Sequence, residues 1–137
     1  MLKTAFTAAA VLALTSIAHA GEDHIFKFDD VDWQPAGLEG AEMAILWGSE
    51  EDNDAIWAFR LQPGVYIPPH THSNDYWGFA IQGNWVHIDE DGHEEVTAQG
   101  SFAFIKAGEL HADRCAGPEV CINILDFDGT RDIAFPE

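Results

Sequence analysis

Short apolar runs, each cut off by glycine, proline, asparagine or aspartate, follow one another through most of this chain. Beyond the first twenty residues no stretch keeps apolar side chains at helical spacing, which leaves strands as the only regular element. Residues 43–47, 55–61, 77–83, 85–89, 102–105 and 121–127 read as strands. In 55–61, Trp57, Phe59 and Leu61 share one side and Arg60 takes the other. The punctuation is as informative: 34–37 breaks the chain, 48–54 is a polar loop, and Pro63-Gly64, Gly83-Asn84 and Asp91-Gly92 are turns. Residues 25–33 mix aromatic and acidic side chains and suit an edge strand or an arm. So many short strands expose many edges unless the sheet closes, so an all-β barrel or sandwich is expected.

The first residues stand apart from this pattern. Lys3 gives a positive start, 6–17 an apolar centre, and Ala18-His19-Ala20 a small-x-small cleavage signal. The apolar run falls short of the roughly 20 residues a membrane span needs. Residues 1–20 are therefore expected to be a signal peptide, and 21–137 a single exported domain of the periplasm or medium. Its loss takes Lys3 and no acid, so the formal charge moves from 6 − 24 = −18 to 5 − 24 = −19. Such a surface repels phosphate backbones and anionic lipid, which argues against nucleic-acid and membrane roles. It suits solubility first, then cationic ligands or metal ions.

Cys115 and Cys121 are the only cysteines. An even pair in an oxidising compartment suggests a disulfide, here across a hairpin turned by 116–119, whose register it would fix. The alternative is a thiolate metal ligand at Cys115.

His70 and His72 are two apart, so on an extended strand their rings share a face. Two imidazoles on one face can hold a metal ion between them, and His111 is the obvious third ligand. Imidazole suits iron, manganese, zinc, nickel and copper alike. Three protein ligands with an open position is the arrangement of a catalytic metal rather than a structural one.

Glycines frame these histidines at fixed intervals, and here the chain resembles the cupin superfamily. The first cupin motif is Gly, five residues, His-x-His, three or four residues, Glu, six residues, Gly; Gly64, His70, His72 and Gly83 match it. The second is Gly, five residues, Pro-x-Gly, two residues, His, three residues, Asn; Gly100, Gly108 and His111 match it. The likeness spans 63–115 and implies a small jelly-roll β-barrel. The segment 70–78 also looks like a family of exported cupins classed as a domain of unknown function, in which the paired cysteines recur. The departures are specific. Tyr76 stands where the motif has its metal-binding Glu, Lys106 replaces the Pro, and Cys115 replaces the Asn. The fourth ligand is thus Asp75 through a tighter loop, the Tyr76 phenol, or water.

Tyr76 beside a metal is also a candidate proton donor or hydrogen-bond anchor. By strand parity Tyr66, Trp77, Phe79, Trp85, Phe102 and Phe104 are expected to line the barrel, as core or as an apolar pocket. His87 and His93 lie among Asp89, Glu90, Asp91, Glu94 and Glu95, a solvated hairpin first and a weak second metal site otherwise. Glu109 and Asp113 are candidates to support an imidazole, and His24 is expected in solution. The resemblance implies a periplasmic metalloenzyme of oxygenase, isomerase or lyase type on a small organic molecule. The competing expectation is a binding or sensing module without turnover. A homodimer, with 25–33 as the exchanged arm, is the third.

Overall fold

A computed structural model describes residues 27–137 of the chain. Residues 1–26, on which the expected signal peptide, the start of the expected arm and His24 fall, lie outside the described residues. A short 3-10 turn, Phe28–Asp30, leads into ten strands: β1 Gln34–Pro35, β2 Ala41–Trp47, β3 Ile56–Leu61, β4 Tyr66–His70, β5 Tyr76–Gln82, β6 Asn84–Asp89, β7 Glu94–Ala98, β8 Phe102–Ile105, β9 His111–Ala116 and β10 Cys121–Phe127. They form a six-stranded sheet in the order β1-β2-β3-β10-β5-β8 and a four-stranded sheet in the order β4-β9-β6-β7. Every pairing is antiparallel.

From β3 onward the chain switches sheet at almost every turn; only β6 and β7 pair as a sequential hairpin. That alternation is the jelly roll expected from the sequence. The corners are tight. At Gly83, between β5 and β6, φ is 73°, and a Cβ would meet the Val120 carbonyl oxygen at 2.7 Å. Only glycine satisfies both demands.

The apolar core forms two clusters inside the barrel. One holds Ala41, Leu61, Trp85, Cys115 and Cys121; the other holds Ala55, Trp57, Tyr76, Ile105 and Phe127.

Several sequence expectations need correction. Of the six aromatics expected inside, Trp85 is buried and Trp77 is half-buried, whereas Tyr66, Phe79, Phe102 and Phe104 are exposed. The strands named from the sequence lie near their observed bounds, but β7 and β9 were not among them, and the faces of β5 and β8 are the reverse of those expected. On β5 and β8 it is Tyr76, Gly78, Ala80 and Ile105 that are buried, so the bulky alternates face out. The 34–37 segment is not simply a break, because Gln34–Pro35 pairs with Met43 and Glu42 as the edge strand β1. The described part of the arm folds back on its own sheet: Trp33 lies under the Arg60 guanidinium at 4.4 Å and donates its indole N–H to the Phe28 carbonyl.

Cys115 and Cys121 are bonded, but not across a hairpin. Cys115 sits on β9 in the smaller sheet and Cys121 on β10 in the larger, so the bridge ties the two sheets together. A thiolate ligand at Cys115 is thereby ruled out.

Candidate metal centre

His70 closes β4 and His111 opens β9, and the two are direct cross-strand partners. Their shared face depends on a local irregularity. Ile67 pairs with Asp113 and His70 with His111, so three steps on β4 match two on β9. The extra residue falls at Pro68-Pro69, where no backbone N–H is available to continue the ladder. The bulge resets the alternation and turns His70 inward, with Ile67; Tyr66 stays outside. His72 follows two residues later and joins the same side.

The three imidazoles converge. One ring nitrogen from each of His70, His72 and His111 lies within 4.8 Å of the others. His70 and His111 are 2% and 1% exposed. Each ring is oriented by a backbone carbonyl: Nδ1 of His70 donates to Pro68 at 2.8 Å, Nδ1 of His111 to Glu109 at 3.0 Å, and Nδ1 of His72 to Asp132. A carbonyl only accepts, so Nδ1 carries the proton and Nε2 keeps its lone pair. Burial, the largest influence, lowers the pKa of all three below the ordinary value of 6.5 and favours this neutral form.

Tyr76 reaches the cluster from β5, its hydroxyl 3.3 Å from Nε2 of His111. Burial, reinforced by the charges of Asp113 and Glu109, raises its pKa well above 10 and keeps the phenol protonated. Asp75 is directed elsewhere; its carboxylate accepts the Ala107 backbone N–H at 2.7 Å.

Two further residues belong to the cluster. Asp113 pairs with Ile67 on one side and His87 on the other, and it is 4% exposed. Its Oδ1 accepts the Trp85 indole N–H at 2.9 Å. Burial pushes its pKa up, but His87, His111 and Trp85 together hold it below the usual carboxylate value. His87 lies 3.5 Å from Asp113 through Nδ1 and 3.7 Å from Glu109 through Nε2. Contact with Asp113 raises its pKa against the opposing pull of burial. His87, His111 and Asp113 thus form a second set with metal-ligating spacing. The expected grouping of His87 with His93 does not occur. His93 pairs with Asp89 in the exposed hairpin, whereas His87 faces the barrel interior.

Above the histidines opens a cavity of about 320 Å³, walled by Leu38, Phe59, Ile67, Leu125, Ile133 and Phe135, with His70, His72 and Tyr76 among its lining. The segment after β10 crosses it. Thr71 and Ala134 exchange both backbone hydrogen bonds at 2.9 Å, and Asp132 accepts the Ser73 N–H at 2.8 Å and also its hydroxyl. Arg131 stacks on Trp57 at 4.4 Å and bonds Glu50 at 3.1 Å, leaving its Nε buried without a partner. Sequence reasoning did not attach this segment to the site, since nothing in its composition marks it as a cover.

The model of the ChrR cupin-like domain matches residues 21–126. No curated protein matches the sequence. Among solved structures, KdgF from Halomonas sp. superposes with a TM-score of 0.63 at 22% identity, covering 80% of this chain and 97% of that one. The polyketide cyclase RemF from Streptomyces resistomycificus gives 0.66 at 18% identity, covering 82% and 84%. The Rhodobacter sphaeroides complex of SigE with the anti-sigma ChrR gives 0.60 at 19%, covering 74% of this chain and 51% of that one. At these identities the likeness is one of fold.

Proposed function

The chain belongs to the ChrR cupin-like domain family, and on that footing we propose an exported, periplasmic metal-binding cupin acting on a small organic molecule as an oxygenase, isomerase or lyase. The observation that carries this is the set of three imidazoles, each oriented through Nδ1 and each with a ring nitrogen within 4.8 Å of the others. Iron, manganese, zinc, nickel or copper held there would supply Lewis-acid polarisation of a coordinated oxygen. The chain's own side chains do the rest. Apolar cavity walls take up the body of the ligand and exclude water. Arg131 also lines the cavity, and its positive charge favours anionic ligands such as small organic acids or phenols. Tyr76 holds a proton on its hydroxyl beside His111, placed to give it to a bound molecule.

Metal analysis of the mature protein tests the reading: a stoichiometric transition metal is expected, lost in His70→Ala and His111→Ala. Oxygen uptake and product formation with simple phenols and keto acids test the chemistry.

A second reading, a binding or sensing module, draws support from Tyr76 at the motif's Glu position and from the similarity to the SigE complex with the anti-sigma ChrR. Turnover of any substrate would sink it. A homodimer belongs to either reading, supported by the exposed Phe102 and Phe104 on edge strand β8; sedimentation equilibrium should return twice the monomer mass.

A further inference from the structure

We infer that Asp113 is the carboxylate ligand of this centre, supplied from β9 because Tyr76 occupies the position where the cupin motif has its glutamate. The inference rests on the metal-centre reading above and goes beyond it by naming the fourth protein ligand.

The geometry is specific to one oxygen. Oδ1 of Asp113 is taken by the Trp85 indole, whereas Oδ2 faces Nε2 of His70 at 3.7 Å and Nε2 of His111 at 3.6 Å. Both separations exceed hydrogen-bond range, which ends near ~3.2 Å for nitrogen and oxygen. They match two donors sharing an ion: bonds of about 2.1 Å in a tetrahedron put neighbouring ligand atoms about 3.4 Å apart.

The polarity points the same way. With its Nδ1 proton committed to the Pro68 carbonyl, Nε2 of His70 presents a lone pair to Oδ2, itself a lone-pair atom; Nε2 of His111 also has the Tyr76 hydroxyl beside it. Acceptors directed at one another repel unless a cation lies between them. A nearly fully buried carboxylate also needs a positive partner, because an uncompensated one costs several kcal/mol or gives up its charge. His87 contacts the opposite oxygen, Oδ1, and so backs the carboxylate from behind, leaving Oδ2 free. Neither alternative from the motif is as well placed. Asp75 is spent on the Ala107 N–H, and Tyr76 is a neutral phenol whose single hydroxyl already meets His111.

The test is Co(II) and Zn(II) binding by the mature protein, by chelator competition and by the Co(II) absorption spectrum. Asp113→Asn, which keeps the acceptor for Trp85, should weaken both ions at least about 100-fold, the upper end of the loss seen when a mere supporting residue is removed. It should also change the Co(II) spectrum. Asp75→Asn should stay within about threefold of the parent, a margin of under 1 kcal/mol. A crystal structure of the Co(II)-loaded parent should place one Asp113 oxygen within about 2.2 Å of the ion, and this readout stands even if the variant does not fold. Parent-like affinity in Asp113→Asn, or an Asp113 oxygen more than about 3 Å from the ion, would overturn the inference. Loss of binding in His70→Ala alongside such a result would sink only the role of Asp113. A parent protein that takes up neither ion would sink the metal centre with it.

Discussion

A histidine's usefulness as a ligand is decided by what its other nitrogen does. Here the Pro68, Glu109 and Asp132 carbonyls hold the Nδ1 protons, and burial discourages a second proton on each ring. Because the folded pKa values lie below 6.5, the unfolded chain binds protons more readily. The associated stability is complete above 6.5 and is lost as pH falls from there through the folded values. The metal-free protein should therefore melt at steadily lower temperature below about pH 6.5, as calorimetry over pH 4.5 to 8 will record. His87 works in the opposite sense. Its pKa is raised, chiefly by Asp113, so its contribution is complete below 6.5 and is lost as pH rises through the folded value. His87→Gln should cost more stability at pH 6 than at pH 9 by the same measurement. The sequence displayed the three candidate ligands through spacing and motif alone. It concealed the role of His87, because the acidic residues beside it in sequence belong to an exposed turn while its own ring points inward.

Elements decide which of these side chains can meet. Strand β9 carries His111 and Asp113, and its far end is tied by Cys115 to β10 in the opposite sheet. Closing so short a loop contributes about 2 kcal/mol by chain entropy. The paired Cys115→Ser and Cys121→Ser variant should melt about 8 °C lower than the oxidised parent, followed by circular dichroism. The carboxy-terminal segment is the second such element. It supplies the carbonyl that orients His72 and the side chains that line the cavity mouth. Removing residues 129–137 should weaken metal binding by roughly 10–100-fold, the usual consequence of losing a ligand's supporting partner, read by the same chelator competition. Strand positions were legible from punctuation, whereas facing was not. The Pro68-Pro69 bulge shows why: one residue out of register inverts every assignment beyond it, and parity counting assumes an unbroken ladder. Phe79, Phe102 and Phe104 failed for a related reason, since alternation alone does not say which of two apolar faces is the inner one.

At the scale of the molecule, two sheets of six and four strands enclose polar groups that no single segment announces as a set. The jelly roll itself was readable because turn residues recur with few interruptions and helical periodicity is missing. The site was readable in part, because two motifs distant in sequence fall on adjacent strands β4 and β9. The full chain carries a formal charge of −18, of which Asp113 is a carboxylate held inside the barrel, and a net charge this far from zero suits solubility. If export is correct, mass spectrometry of the protein recovered from the periplasm should find the chain starting at Gly21; an intact leader in the cytoplasm would count against it. The cover over the cavity is attached to the strand it protects by the reciprocal pair between Thr71 and Ala134. Because the same segment walls the cavity mouth and supplies the carbonyl that holds the His72 ring, any shift of it changes the room for a ligand and the pose of that imidazole together.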